Sequence, residues 1–166
     1  VEKLHDILRI KGKVVPVTSE DVTLCARLKN GKIIRGESKI PKAVSKMESP
    51  IEEVFLEPSG VQPLNSAVEA IMNADMIVLG PGSLYSSIIP NLLVGGISDA
   101  IRSAGGMKVI VCNVMTQAGE TDDYTVVDYV DAIEKYLGSG VAEYILINDH
   151  ICQPEELNAY ICRGTR

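Results

Sequence analysis

A short apolar run that leads into a glycine-rich turn and a helical pattern constrains the fold of this chain more than any other stretch. Residues 76–79 are all apolar, which is typical of a strand covered on both faces of a parallel sheet. Gly80, Pro81, Gly82 and Ser83 then break the strand. We expect both glycines to allow positive φ and Ser83 to cap the following helix. This order of elements predicts an α/β fold.

A turn of this kind points backbone N–H groups outward at the carboxyl end of a strand. Together with the dipole of the following helix, these groups attract phosphate or carboxylate groups. The same residues also fit an ordinary tight turn with a serine cap. The turn alone does not distinguish an anion-binding site from an ordinary tight turn, so a ligand site requires a second element beside it.

A second polar loop follows the next apolar run, residues 107–112. Residues 113–124 are rich in hydrogen-bonding side chains around Gly119. The alternation of strands and helices calls for right-handed crossovers and a parallel sheet. Both loops should therefore open at the edge where such sheets bind ligands. The two loops therefore predict one joint site. The candidate ligand-binding residues are Gly80, Pro81, Gly82, Ser83, Ser86, Asn91, Asn113, Thr116, Gln117, Glu120, Thr121 and Tyr124.

Hydrophobic periodicity and turn signals predict the remaining elements. Asn30-Gly31 indicates the tip of a solvent-exposed hairpin outside the ligand site. Strands are expected at residues 13–18, 22–28, 33–36, 51–58 and 142–148. Helices are expected at residues 1–10, 63–74, 95–104, 126–137 (capped by Thr125 or Asp123) and 154–161. Residues 37–50 are expected to form a solvated loop. The prediction is one α/β domain with a Rossmann-like, mostly parallel sheet flanked by helices and a β-hairpin insertion.

Composition narrows the classes of function. The chain has 166 residues, enough for one domain with a sizeable core, and its 46% hydrophobic content without Trp suits aliphatic layers. A net charge of −6 argues against a nucleic-acid partner. No apolar run reaches the ~20 residues of a membrane helix and no signal peptide is visible, so we expect a cytoplasmic protein; a homo-oligomer stays open. Cys25, Cys112, Cys152 and Cys162 form no CxxC pair and are expected to be reduced core thiols rather than metal ligands or disulfides.

Two motifs give the sequence a specific resemblance to a known family. The stretches GPGSLYSSIIPNLL at 80–93 and MTQAGETDDYT at 115–125 resemble the CofD-like family, and within it the YvcK-type gluconeogenesis factors. The resemblance covers about residues 1–150 and implies a Rossmann-like sheet that binds a nucleotide. The YvcK branch binds a nucleotide sugar such as UDP-N-acetylglucosamine, and the phospholactate transferase branch a guanosine nucleotide. The resemblance also implies that Tyr124 contributes to the nucleotide-sugar site; a tyrosine that packs over the sheet edge is the alternative.

The sequence departs from the family pattern at both ends. The family opens with a strand and a GGGTG-type loop that cradles the ligand, and no such loop stands in this sequence. We therefore expect the chain to be the carboxyl-terminal part of a larger protein. Residues 151–166 match the family poorly, so Arg163 is only a poorly aligned candidate for the arginine that YvcK-type proteins use for the nucleotide sugar.

Three hypotheses for function follow. The first, which we favour, is a nucleotide-sugar-binding regulatory protein without turnover, in central carbon metabolism and in cell-shape or cell-wall control, as the resemblance implies. The second is a transferase of the 2-phospho-L-lactate type that uses a guanosine nucleotide and Mg²⁺, with Glu120, Asp122 and Asp123 as metal-binding carboxylates unless they are solvated or capping. The third is a protein-interaction module. No nucleophile motif accompanies His5 or His150, so no catalytic residue, and no cofactor beyond that Mg²⁺, is expected.

Overall fold

The computed structural model describes residues 12–150. Predictions for residues 1–10 and 154–161, for Cys152 and Cys162, and for Arg163 lie outside that range. The strands are β1 (Thr23–Leu28), β2 (Ile33–Arg35), β3 (Ile51–Glu57), β4 (Met76–Leu79), β5 (Met107–Val111) and β6 (Tyr144–Leu146). The α-helices are α1 (Ile40–Met47), α2 (Asn65–Met72), α3 (Ile89–Leu92), α4 (Ile97–Ser103) and α5 (Val126–Leu137). A 3₁₀ turn, Glu37–Lys39, precedes α1, and a π-helical turn, Leu84–Ile88, precedes α3.

The first half of the described chain forms an antiparallel sheet with the strand order β2-β1-β3. Asn30-Gly31 forms the tip of its hairpin, as predicted: Gly31 has φ 82°, and the Asn30 side chain accepts a hydrogen bond of 3.1 Å from the Lys32 N–H. Both residues at the tip are exposed. On β1, Ala26 is completely buried and lies opposite Ile34 and Val54, so the sheet presents an apolar face to the core.

The second half forms the predicted parallel sheet with the strand order β4-β5-β6. Val78, Val109 and Tyr144 lie side by side in one row of its register. Helices connect each strand to the next, and strand order follows chain order. The α/β class is therefore confirmed, and the carboxyl ends of β4, β5 and β6 meet at one edge.

The prediction of burial on both faces is wrong for β4, whereas β5 is covered on both faces at its centre, because its consecutive residues Val109 and Ile110 are both buried. Ile77 and Leu79 are buried in the common core, but the side chains of Met76 and Val78 are 53% and 50% exposed. Met107 on β5 and all of β6 are exposed as well. Apolar composition alone does not distinguish a strand buried on one face from a strand buried on both.

The solvated loop predicted for residues 37–50 is also wrong, because this segment contains helix α1. Ile40 and Val44 are buried, and with the half-buried Met47 they follow the i, i+4, i+7 spacing of an apolar helix stripe. Pro41 lies in the first turn, where its missing N–H costs nothing. The lysines of the segment suggested a loop, but they lie on the solvent-exposed side of the helical segment.

Residues 13–18 were predicted to form a strand but form no regular structure. Pro16 has no N–H to donate to a ladder. Val15 and Val17 still pack against the core, and the Val17 carbonyl accepts a hydrogen bond of 2.8 Å from the Leu64 N–H. The apolar alternation therefore indicated burial correctly and the strand incorrectly.

Two cysteines fall within the described residues, and both are free and buried, as expected for core thiols. Burial raises the pKa of the Cys112 thiol, and burial together with the nearby Glu57 carboxylate raises that of Cys25. Within residues 12–150 no single helix is long and apolar enough to cross a membrane, although Leu84–Leu92 with Ile97–Ser103, bent by 75°, meets the length and composition criteria as a pair.

Candidate functional site

The turn after β4 is shaped by a glycine that packs against β5. Gly80 has φ 91°, and a Cβ at this position would lie 2.7 Å from the Val111 carbonyl oxygen. Gly82 does not have a positive φ, contrary to expectation, and a Cβ there would meet the Ile88 side chain at an ordinary 3.6 Å. Gly80 is therefore required by the backbone, whereas Gly82 leaves room for a small side chain.

The predicted serine cap is not formed. Ser83 makes no capping hydrogen bond through its side chain. Its carbonyl oxygen instead accepts hydrogen bonds from the N–H groups of Ser87 at 2.9 Å and Ile88 at 3.0 Å, which closes the π-helical turn. The cap at α5 is formed as predicted by Thr125, which shares a capping box with Asp128.

Asn113 connects the turn to the second loop. Its Oδ1 accepts a hydrogen bond of 2.9 Å from the Gly82 N–H, and its Nδ2 donates one of 2.8 Å to the Gly82 carbonyl oxygen. The side chain thus pairs with one residue of the turn through both of its polar atoms. The loops after β4 and β5 lie side by side, as the strand order predicts.

Glu120 makes the second connection, from a buried position that is only 4% exposed. Its Oε2 accepts hydrogen bonds from the N–H groups of Tyr85 at 2.9 Å and Ser86 at 3.2 Å. Its Oε1 accepts one of 2.7 Å from the Ser86 hydroxyl and a longer one of 3.4 Å from Gln117 Nε2. Several of the N–H groups that were expected to face a ligand are therefore bonded to side chains of the chain itself.

The second loop folds on its own hydrogen bonds. The Thr121 hydroxyl, buried with its residue at 2% exposure, accepts a bond of 2.8 Å from the Gln117 N–H. Asp122 accepts one of 2.7 Å from the Gly119 N–H. Gly119 has φ 79°, and a Cβ there would collide with the carbonyl oxygen of Pro41 in α1. The glycine in this motif is needed because the loop passes directly against a helix.

Tyr124 is held by a second tyrosine. The hydroxyl oxygens of Tyr124 and Tyr85 are 2.8 Å apart, and the two rings meet edge to face with centroids 6.4 Å apart. Burial, and then the bond to Tyr124, raises the pKa of the Tyr85 hydroxyl well above its ordinary value, so Tyr85 stays protonated at neutral pH. The Tyr124 hydroxyl is thus directed to Tyr85, and the ring remains to face a ligand.

A cavity of about 190 Å³ opens at the carboxyl ends of β5 and β6. Four predicted site residues line it: Asn113, Thr116, Thr121 and Tyr124. Sequence reasoning missed its other lining residues: Cys112, Val114, Met115, Thr125, Val126, Tyr129, Ile147 and Asn148. Asn148 carried a usable signal, because it follows a strand at the same edge. Among residues 12–150, no charged side chain lines the cavity, so this part of the lining is neutral and offers hydrogen bonds through amides and hydroxyls.

The remaining predicted site residues lie outside the cavity lining. The turn that contains Gly80, Pro81, Gly82 and Ser83 contacts the cavity residue Asn113 through Gly82. Ser86, Gln117 and Glu120 form the hydrogen-bonded support between the loops. Asn91 is exposed on α3, and its amide donates a bond of 2.6 Å to the Ser87 carbonyl oxygen in the preceding π-helical turn.

A larger cavity of about 660 Å³ lies on the other side of Tyr124. Its lining includes Glu120, Asp122 and Asp123, the carboxylates considered for a metal. Glu120 and Asp122 accept hydrogen bonds from backbone N–H groups. Among residues 12–150, no group of three or more His, Cys, Asp or Glu side chains is arranged to hold a metal ion.

Comparison with known proteins then places the chain. The family model described as 2-phospho-L-lactate transferase CofD matches residues 1–165. The chain belongs to the CofD family. This CofD-family chain is 39% identical over 166 residues to the gluconeogenesis factor of Bacillus subtilis and 45% identical over 148 residues to that of Halalkalibacterium halodurans. All of the chain matches 51% of the first relative, and 89% of the chain matches 45% of the second.

A solved structure agrees with these relatives. A UPF0052-family protein from Bacillus halodurans superposes with a TM-score of 0.91 at 41% identity, over 99% of this chain and 52% of that one. The CofD-family chain thus spans about half the length of the relatives it matches. The resemblance deduced from the two loop motifs is confirmed, but the expectation that it ends near residue 150 is wrong, because the family model extends to residue 165.

Proposed function

We propose that this CofD-family chain belongs to a nucleotide-sugar-binding regulatory protein whose ligand is a UDP-sugar. One observation carries the proposal: a neutral cavity at the ligand-binding edge of a parallel sheet, between an aromatic ring and several amides and hydroxyls. A sugar ring or a uracil offers hydrogen-bonding groups and no charge. Thr116, Thr121 and Asn148 supply matching groups, and the ring of Tyr124 supplies a surface for stacking.

The size of the cavity limits what it encloses. Sites for drug-sized ligands measure roughly 300–1,000 Å³, and this cavity measures about 190 Å³. It therefore encloses one ring of a nucleotide sugar, and the diphosphate lies outside it. In this proposal, the part of the relatives that the chain does not cover completes the site around the rest of the ligand.

The names of the relatives support a metabolic role. The two relatives described above are named gluconeogenesis factors, which supports a place in central carbon metabolism. On the YvcK-type resemblance, we extend the proposal to cell-shape or cell-wall control and to a cytoplasmic location. The transferase alternative, with a guanosine nucleotide and Mg²⁺, is favoured by the description of the family model.

A thermal-shift experiment distinguishes these functions. The protein is heated with UDP-N-acetylglucosamine, UDP-glucose, GDP or GTP, each with and without MgCl₂. A ligand at 100 times its Kd stabilises the folded state by about 2.7 kcal/mol, which corresponds to a rise in Tm of roughly 5–11 °C for a chain of this size. We expect this rise with a UDP-sugar in the absence of Mg²⁺. A rise only with a guanosine nucleotide and Mg²⁺ would establish the transferase alternative, and no rise with any of them would reject both.

A further inference from the structure

A buried carboxylate, Glu120, belongs to the loop that lines the proposed ligand cavity and itself lines the larger cavity. Glu120 is 4% exposed, and the three ion pairs found among residues 12–150 do not include it. A buried charge is costly unless hydrogen bonds compensate it. Here the compensation comes from the N–H groups of Tyr85 and Ser86 and from the Ser86 hydroxyl.

These N–H groups are the ones that would otherwise attract an anion. The first N–H groups of a helical segment have no partner inside the segment, and together with its dipole they bind phosphates in many proteins. In this chain Glu120 Oε2 already accepts both of these N–H groups, and Oε1 accepts the Ser86 hydroxyl beside them. A phosphate group of a ligand could bind these N–H groups only by displacing the carboxylate.

The same carboxylate holds two walls of the cavity in place. Thr121, the next residue along the chain, lines the cavity. Tyr85, whose N–H is bonded to Glu120, also holds the Tyr124 hydroxyl at 2.8 Å, and Tyr124 lines the cavity from another side. Glu120 itself is not among the residues that line this cavity.

We infer that Glu120 is a positioning residue: its carboxylate fills the anion site at Tyr85 and Ser86, fixes Thr121 and Tyr124 around the uncharged ring of the ligand, and keeps the ligand's diphosphate away from these amides. The inference rests on the proposed function for its ligand. Its structural part, the carboxylate that joins two loops, can be tested without any ligand.

The matched pair of variants is Glu120→Gln and Asp122→Asn. Each removes one negative charge from the same loop, but Asp122 is exposed and bonds only within the loop, to the Gly119 N–H. Hydrogen exchange of the segment that contains Tyr85 and Ser86, measured by mass spectrometry, should become at least tenfold faster in Glu120→Gln. It should stay within twofold of the parent in Asp122→Asn. Equal exchange in both variants would overturn the structural part of the inference.

Ligand binding tests the positioning role. The Kd for UDP-N-acetylglucosamine is measured by calorimetry at a temperature where each variant is folded. We expect at least tenfold weaker binding for Glu120→Gln and less than threefold for Asp122→Asn. Unchanged affinity in a folded Glu120→Gln protein would show that Glu120 only stabilises the fold. If the parent protein does not bind this ligand, the proposed function fails, and the exchange experiment still decides the structural part.

Rescue by a small anion separates the two roles further. Glu120→Ala leaves the N–H groups of Tyr85 and Ser86 without their acceptor, so added acetate or formate should restore slow exchange there and much of the ligand affinity. Acetamide, which has a similar shape and no charge, serves as the control. Equal effects of acetate and acetamide would contradict an anion site. If Glu120→Ala does not fold, the Glu120→Gln experiments decide the inference alone.

Discussion

Replacing Asn113 by Ala should separate the two loops that form the candidate site. The Asn113 amide accepts a hydrogen bond of 2.9 Å from the Gly82 N–H and donates one of 2.8 Å to the Gly82 carbonyl oxygen. Alanine removes both bonds and leaves little space unfilled, because the Asn113 side chain is only half-buried. The variant therefore tests the connection and not the packing of the core.

The magnitude follows from the partners that Gly82 retains. A hydrogen bond contributes about 0.5–1.5 kcal/mol, and more when its loss leaves a buried group without a partner. In the variant, the Gly82 carbonyl oxygen keeps a long contact of 3.5 Å with the Tyr129 hydroxyl, so losing its bond to Asn113 should cost an amount at the low end of this range. The Gly82 N–H, in contrast, loses its acceptor. We expect a total loss of about 2 kcal/mol, or roughly 4–8 °C in Tm.

Urea unfolding followed by circular dichroism measures this loss. With a slope of about 2 kcal/mol per molar urea, the midpoint should fall by about 1 M. Asn91→Ala is the matched control, because the exposed Asn91 amide bonds locally, to the Ser87 carbonyl oxygen four residues earlier, and it should change stability by less than about 0.5 kcal/mol. Equal midpoints for the two variants would refute the role of Asn113 as a connection between the loops.

Three further predictions concern the turn and the tyrosines. Gly80→Ala, which combines φ 91° with a clash against a backbone oxygen, should cost at least ~2 kcal/mol in urea unfolding, and Gly82→Ala less than ~1 kcal/mol; similar costs would contradict the packing described here. Burial raises the pKa of Tyr129 from 10.0 to about 12, so the folded state holds this proton more tightly and stability should be complete below pH 10 and decline as the pH rises to 12. The decline, followed by urea midpoints, should be smaller in Tyr129→Phe and unchanged in the exposed-site control Tyr144→Phe. For a ligand that stacks on the ring, Tyr124→Phe should keep the UDP-sugar Kd within threefold and Tyr124→Ala should weaken it at least tenfold, whereas equal loss in both would assign the contact to the hydroxyl.

The periodicity of the sequence predicted the parallel strands and α5 well, because local spacing determines both. The bounds predicted for α5, residues 126–137, are the observed ones, and Thr125 caps it as expected. The hairpin at Asn30-Gly31 was also predicted, and Gly31 adopts the positive φ that glycine allows without a steric cost.

The sequence did not reveal how the polar groups of the site are used. Backbone N–H groups after Gly82 look available to a ligand when the chain is read in order. Asn113 and Glu120, which occupy them, lie 31 to 35 positions away, and no local pattern shows that pairing. Residues 113–124 were recognised as functional by their composition. Their division into cavity lining and support depends on tertiary contacts.

The edge residues of the cavity were missed for a similar reason. Val114 and Ile147 look like parts of apolar runs, yet both line the cavity and are 66% and 57% exposed. The exposure of one face of β4 could not be predicted either, because a run such as residues 76–79 looks the same with one covered face or two. Burial is a property of the whole fold, and composition reports only its average.

The central claim is that a UDP-sugar binds at the carboxyl ends of β5 and β6 with an uncharged ring in the neutral cavity. A crystal structure of the protein grown with UDP-N-acetylglucosamine tests it most directly. We predict a sugar or base ring against Tyr124, within hydrogen-bonding distance of Thr116 or Thr121, with Glu120 still bonded to the N–H groups of Tyr85 and Ser86. A ligand bound elsewhere, or a phosphate in the place of the Glu120 carboxylate, would contradict the account.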